Sequence, residues 1–382
     1  MTRSSFTGGQ LLDALARQHD ALVQDIRRRI ETELPSYQAL SESVVDQHVR
    51  LSLLRTLEAA QAGHPGIADH DLTEIAEVGA VQAQAGIPVD DMLRVWRMGI
   101  ELVLARARAL AAELRIGDDE VLEFVALLLA WSDVAMIASA SAHRAAEIEM
   151  ARSDHERRAA FVRGVLLGAI APATLRIDAE AYGLDAQAQY VPVRAHATDP
   201  TSQLELERAL GLTATGPPRQ GIGTLLEGDI CGFVRARPRT QRWTIGAGPP
   251  APLDRLAESF GLATRALTTA TAFGVTGVVD LGAVGVRAAV VADRDVTEQL
   301  TRRYLEPLSA AGSKEDIIAT LRAFLDCGLR IDGAAEQLIV HPNTVRYRLA
   351  RFEERTGASL RDTTVICELS WALDAALVAT RS

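Results

Sequence analysis

Cysteine is scarce in this chain. The three present, Cys231, Cys327 and Cys367, lie far apart and form no Cys-x-x-Cys pair. That spacing offers neither a disulfide framework nor a thiolate zinc site, and it suits a reducing compartment. Aromatic residues make up only 4% of the sequence while Ala and Leu abound, which tilts the composition toward helix. Lysine is nearly missing: Lys314 stands alone, and arginine supplies the other basic side chains. A net charge of −10 argues against a chain that coats nucleic acid without selectivity. It leaves room for a small basic surface, because the field of DNA is felt over about one Debye length, ~8–10 Å. The N-terminal stretch from Met1 to Gln10 lacks the apolar core of a signal peptide. One long apolar run, Phe124 to Ala142, contains Asp133 among Trp131, Ser132, Ser139 and Ser141. A carboxylate at mid-membrane is costly, so this run is expected to be a buried core helix, in a cytoplasmic protein with no membrane partner.

What the sequence does have is helical periodicity, a change of texture and a second helical segment. Leu15, Leu22, Ile26 and Ile30 recur at helical spacing, as do Val45, Val49, Leu53 and Leu57, and Leu93, Trp96, Ile100 and Leu104. Breaks are expected at Gly63–Gly66, at Gly86-Ile87-Pro88 and at Gly117, with Asp90 or Asp91 capping the helix after Pro88. Residues 1–160 therefore read as a bundle of five or six helices. The polar helix from Ala145 to Gly168 is either a connector into the next domain or a solvated outer helix. Beyond Gly168 the pattern alternates. Strands are expected at Tyr190–Ala195, as a hairpin over Gly223–Arg235 turning at Glu227-Gly228-Asp229, at Trp243–Ile245 and at Val275–Leu281. A helix over Leu253–Phe273 and another over 295–310 complete a small α/β domain at 161–310, followed by a hinge at Ala310–Lys314.

Residues 311–382 carry the chemistry. Ser313 and Asp316 resemble a capping box opening a helix with Ile317, Leu321, Phe324 and Leu325 inward, and Gly328 closes it. Asp332 is expected to cap a second short helix whose Ala334 and Ala335 admit a close neighbour. Pro342, placed where proline suits a first helical turn, opens a third. On a wheel of ~100° per residue, Val345, Leu349 and Phe352 of that helix face inward, Asn343, Arg346 and Tyr347 face outward, and Thr344 and Arg351 flank them. From His341 to Phe352 there are three arginines and no carboxylate. Positive charge on one helix of a nearly neutral segment is the footprint of a DNA-recognition helix. Arginine can bond guanine in bidentate fashion, asparagine can bond adenine, and threonine or tyrosine can hold phosphates. The expected DNA-contacting set is His341, Asn343, Thr344, Arg346, Tyr347, Arg348 and Arg351.

Ala334-Ala335-Glu336-Gln337-Leu338 followed by His341-Pro342-Asn343-Thr344-Val345-Arg346-Tyr347-Arg348-Leu349 closely resembles the C-terminal helix-turn-helix of the PucR/CdaR family of bacterial transcriptional regulators. Gly357-Ala358-Ser359-Leu360-Arg361-Asp362 is similar to that family's turn into its last helix. More weakly, Ile245–Gly248, Leu256–Phe260 and Ala263–Leu267 resemble its middle domain, a degenerate relative of the diguanylate cyclase (GGDEF) fold. Gly86-Ile87-Pro88 through Trp96 resembles an RsbR-type helical input domain. The resemblance implies a multidomain, mainly α protein: a helical bundle at 1–160, a cyclase-like α/β domain at 161–310 and the helix-turn-helix at 311–382. It implies a sequence-specific regulator that binds DNA as a homodimer or higher homo-oligomer, under a small-molecule effector or a partner.

Catalysis is not expected. An active cyclase hairpin reads Gly-Gly-Asp-Glu-Phe or Gly-Gly-Glu-Glu-Phe, whereas Leu226-Glu227-Gly228-Asp229-Ile230 lacks the paired glycines and the acidic pair in register. Retained nucleotide binding stays open, as does an alternative in which the chain is a signalling module for a nucleotide or protein partner without DNA. Gly246-Ala247-Gly248 runs into Pro249-Pro250 and makes a poor phosphate loop. His64, His70, His143 and His155 form no ligand pair of metal-binding spacing, so neither metal nor cofactor is expected. Asp133 is the main candidate for a buried charge, held by a partner from the protein itself.

Overall fold

A computed structural model describes residues 9–62, 69–197, 199–212, 220–310 and 314–381, and the chain divides into two compact units, Met1–Glu156 and Arg157–Ser382. The first unit is helical: α1 (Gly9–Arg17), α2 (His19–Glu33), α3 (Glu42–Gln61), α4 (Asp69–Gln84), α5 (Val89–Leu114) and the larger part of α6 (Asp118–Leu167). The periodic residues do what their spacing dictates. Leu15 of α1, Leu22, Ile26 and Ile30 of α2, and Val45, Val49, Leu53 and Leu57 of α3 share one core with Met98, Val103 and Ala107 of α5. On α5 the expected stripe of Leu93, Trp96, Ile100 and Leu104 is only half-buried; Met92, Met98, Val103 and Ala107 go deeper. Gly86 takes a positive φ of 76° at the break before α5, whose cap is Pro88, with Asp90 and Asp91 in its first turn. The Gly63–Gly66 break lies outside the described residues.

The apolar run of α6 is a one-sided helix, not a fully buried one. Phe124, Leu128, Trp131, Ala135 and Ser139 are buried, while Leu122, Leu129 and Ile137 are exposed, Ile137 at 59%. Asp133, expected to be buried, lies on the exposed side. Hydrophobicity all round the helix concealed which face had neighbours. By length and composition α6 could cross a membrane, and 28% of its most apolar stretch is buried. Its inner face is tied into the unit by Trp131 Nε1 donating to Thr56 Oγ1 at 2.9 Å, and by His143 Nε2 donating to the Ile87 carbonyl at 2.8 Å. At Gly79 of α4 a Cβ would stand 2.3 Å from the Ser139 carbonyl oxygen, so glycine there sets how closely α4 and α6 approach.

The second unit begins with the end of α6 and α7 (Pro172–Ala181). A mixed sheet follows: β1 (Val191–His196), α8 (Pro200–Ala209), β2 (Gly221–Leu226), β3 (Asp229–Val234), β4 (Thr244–Ala247), α9 (Leu256–Phe273) and β5 (Gly277–Val279). The strand order is β2-β3-β1-β4-β5, antiparallel except for β5 beside β4. The expected hairpin is present, with Glu227 and Gly228 both at positive φ (55° and 87°), the mirror-image turn that suits the twist of two-residue hairpins. Helix α9 lies against β1 and β4. A Cβ on Gly246 would fall 2.0 Å from the Ala263 carbonyl oxygen, so this glycine serves helix–sheet contact.

After the sheet come α10 (Leu281–Val284), α11 (Arg287–Ala292), α12 (Arg294–Tyr304), a 3-10 turn over Glu306–Ala310, α13 (Lys314–Asp326), α14 (Ile331–Leu338), α15 (Pro342–Thr356) and α16 (Thr363–Ala379). Tyr304, Leu305 and Leu308 share a core with Ile317, Leu321, Val345, Phe352, Leu369 and Leu373. The sheet and the last helices lie in one compact unit, Arg157–Ser382. The Trp371 indole donates to Thr297 Oγ1 at 2.8 Å, Arg287 pairs with Asp374 at 3.2 Å, and Arg381 donates to the Phe273 carbonyl.

Candidate nucleic-acid interface

The arrangement is assembled by α13, α14 and α15. Ile317, Leu321 and Phe324 hold α13 in the core, and Gly328 ends it at a φ of 65°. Ser313, expected to cap α13, lies outside the described residues. Helix α14 is capped by Arg330 without a side-chain bond, and Asp332, expected as the cap, sits inside its first turn, where a carboxylate complements the helix dipole. Ala334 and Ala335 are only 0% and 3% exposed, the small side chains that let α14 lie close to its neighbours.

Between α14 and α15 the chain reverses at Ile339, which adopts a φ of 55° and is 92% exposed. A branched residue is seldom found in that left-handed region. His341 caps α15, its Nδ1 accepting from the Asn343 backbone N–H at 3.2 Å, with Pro342 in the first turn. That bond requires an unprotonated Nδ1, so the neutral ring carries its proton on Nε2.

Val345, Leu349 and Phe352 are buried, as the wheel predicts. Opposite them His341, Asn343, Arg346 and Tyr347 are exposed, Tyr347 at 68%, and Thr344 is half-buried beside them. Arg346 Nη1 donates to Asn343 Oδ1 at 2.8 Å. Among the described residues no carboxylate lies within ion-pair distance of Arg346, so its charge is available to an outside anion. Arg351 is partly exposed and pairs with Glu354 at 2.6 Å.

Arg348 departs from the rest. Its side chain turns to α13, donating to Asp316 Oδ2 at 2.5 Å and to Thr320 Oγ1 at 3.3 Å. The outward set is thus His341, Asn343, Thr344, Arg346 and Tyr347, with Arg351 at its edge. Ile339 sits beside it in the turn and escaped the sequence reading, although an isoleucine directly before Val340-His341-Pro342 was its signal.

The other flagged side chains are scattered. His64 and the side chain of His70 lie outside the described residues, His143 is buried against Ile87 and His155 is exposed. Among the described residues no three His, Cys, Asp or Glu side chains gather in a way that could hold a metal ion. At the β2–β3 turn, Arg194 donates to Asp229 at 2.6 Å and to Glu227 at 3.0 Å, and His196 lies 2.9 Å from Asp229.

Residues 317–375 match the family described as the PucR C-terminal helix-turn-helix domain, and residues 20–158 match that described as the RsbT co-antagonist protein rsbRD N-terminal domain. Uncharacterized proteins of Mycobacterium bovis and Mycobacterium tuberculosis are 45% identical over 69 residues, which is 18% of this chain and only 16% of the length of those relatives. A regulator of polyketide synthase expression from Bifidobacterium adolescentis, a crystal structure, aligns over 60% of this chain and 99% of its own at 17% identity. Its TM-score of 0.28 is too loose to speak for a shared arrangement.

Proposed function

For a chain that carries an RsbRD-type N-terminal domain and closes in a PucR-type helix-turn-helix, we propose sequence-specific DNA binding that regulates transcription in the cytoplasm. The observation that carries this reading is the outward face of α15, where Arg346 and Tyr347 stand exposed while Val345, Leu349 and Phe352 hold the helix from behind. A rod of this kind enters a major groove with its N-terminal residues on the base edges. Arg346 would read a base, Asn343 would hold its guanidinium in plane, and Tyr347, Thr344 and the His341 Nε2–H would bond phosphates. Arg348 orients α15 on α13 rather than contacting DNA. The test is a mobility-shift titration of the full chain against genomic fragments flanking its own gene, repeated as salt rises. Retention of a discrete fragment with affinity falling steeply in log salt supports the reading. Equal retention of all fragments, or of none, removes it.

A homodimer would present two recognition helices to successive half-sites. What supports it is the exposed apolar stripe of α6, where Ile137 and Met136 share a groove with Leu93, and where Asp90 and Asp133 alternate with Arg94, Arg97 and Arg144. Opposite charges flanking one apolar strip complement themselves across a two-fold axis. Ile137→Arg is expected to shift the chain to monomer in sedimentation equilibrium.

The sheet domain reads best as a cyclase-like scaffold without turnover. The acids at its hairpin, Glu227 and Asp229, already neutralise Arg194 and are poorly placed to bind a divalent cation. GTP with Mg²⁺ is expected to remain unconsumed. Control by an effector completes the proposal.

A further inference from the structure

The first unit holds a partly open cavity of about 70 Å³ among α2, α3, α4, α5 and α6. Its wall is mainly aliphatic, and no Asp, Glu, Lys or Arg lines it. Three lining residues carry buried polar atoms with no hydrogen-bond partner among the described residues: Tyr37 Oη, His48 Nδ1 and Gln82 Oε1. Tyr37 and Gln82 are each only 5% exposed. Burying one such group unpaired costs about 1–3 kcal/mol, and half of the six such atoms in the described chain sit at this one cavity. Another polar side chain of the wall is satisfied: Thr56 Oγ1 donates to the Ser52 carbonyl and accepts from Trp131 Nε1 behind the wall. The cluster is therefore selective.

Gly99 adds a second observation. It lines the cavity from the interior of α5, where glycine weakens a helix by about 1 kcal/mol relative to alanine. A Cβ there would find its nearest neighbour, Ile26 Cδ1, at 4.0 Å, so no clash calls for glycine. The residue leaves room. His48 and Val78 also line a groove on the outer surface, which offers a path inward. Burial lowers the His48 imidazole below its ordinary pKa, so a neutral ring faces the site.

We infer that this cavity is a binding site for a small, uncharged, hydroxyl-bearing ligand, an alcohol of about three heavy atoms. Charge is disfavoured because no ion in the wall would compensate it. A hydroxyl fits because it both donates and accepts. It can give its proton to Gln82 Oε1 and receive one from Tyr37 Oη, and it serves equally if the amide of Gln82 is turned over. Size follows from the volume, since an apolar cavity of about 150 Å³ holds benzene and this one has half that space. The site deepens the effector reading above and rests on it only for its biological consequence.

The experiment is saturation-transfer NMR on the full chain with ethanol, and with acetate and ethylamine as charged controls. Ethanol is expected to receive saturation and the controls none. Gly99→Leu, which fills the space, is expected to abolish the signal while leaving the circular dichroism unchanged. Tyr37→Phe should weaken binding at least tenfold, yet hold or raise the melting temperature by removing an unpaired hydroxyl. No transfer to wild type overturns the site, as does equal transfer to the Gly99→Leu chain or to the charged controls. Equal affinity for Tyr37→Phe overturns the hydroxyl requirement. None of these readouts involves DNA, so a mobility shift that persists while ethanol fails sinks this site alone, and the reverse outcome sinks the regulator alone.

Discussion

Arg348 of α15 reaches Asp316 in the first turn of α13 at 2.5 Å and Thr320 one turn later at 3.3 Å, so one basic residue of α15 fastens that helix to α13. Its neighbour Arg346, two residues earlier, has no such anchor. The two arginines should separate experimentally. Arg348→Ala is expected to lower stability by up to about 1 kcal/mol, a modest figure because Asp316 is 59% exposed and solvent screens the pair. Arg346→Ala should leave the urea midpoint unchanged and cost about 1–3 kcal/mol of specific DNA binding. Urea denaturation beside mobility-shift titration of both variants checks the pair.

Gly246 should tolerate no side chain. With a Cβ 2.0 Å from the Ala263 carbonyl oxygen and 2.7 Å from the Leu267 nitrogen, both backbone atoms, Gly246→Ala must push α9 off β4. Overpacking of this kind costs about 1–3 kcal/mol or more. Gly261→Ala, on the same helix with open space around its Cβ, is the control and should be neutral or stabilising in thermal unfolding.

How much of this could be read from the chain divides along physical lines. The inward residues of α13 and α15 were legible because period 3.6 is written in their spacing, and so was the outward set of Asn343, Arg346 and Tyr347. The β2–β3 hairpin was legible from Glu227-Gly228 between two apolar arms. Arg348 was not, because its partner Asp316 lies 32 residues away and nothing local distinguishes a paired arginine from a free one. Asp133 misled because an apolar sequence on all sides of α6 does not say which side meets neighbours. The short helices α7, α8, α10 and α11 left too few periods to register, and the cavity beside Gly99 depends on five helices meeting in space.

Tyr304 makes the second unit sensitive to alkali. Burial raises its phenol to about 12, and the Glu368 carboxylate that accepts its proton acts in the same direction. An unfolded tyrosine ionises at about 10. The preference of the native state for the protonated ring is therefore fully expressed below pH ~10 and is lost as pH rises toward the native value. Stability is expected to fall between these limits more steeply in wild type than in Tyr304→Phe, as followed by urea midpoints across that range.

The cysteines should differ in reactivity. Burial pushes the Cys231 thiol up to about 12, while Cys367 is exposed. Because the thiolate is the reacting species, iodoacetamide at pH 8 should label Cys367 and spare Cys231 until urea unfolds the chain. Rapid labelling of Cys231 in the native protein would contradict its place in the sheet.

The seating of Tyr304, Leu305 and Leu308 among the helices that follow them bears on how such proteins can recombine. A cut at residue 311 leaves three apolar plugs behind and opens their sockets on the excised piece. A graft that starts there would be sticky and poorly soluble, whereas one that starts at Arg294 keeps its own stoppers. Moving these last helices to another protein requires carrying their collar with them.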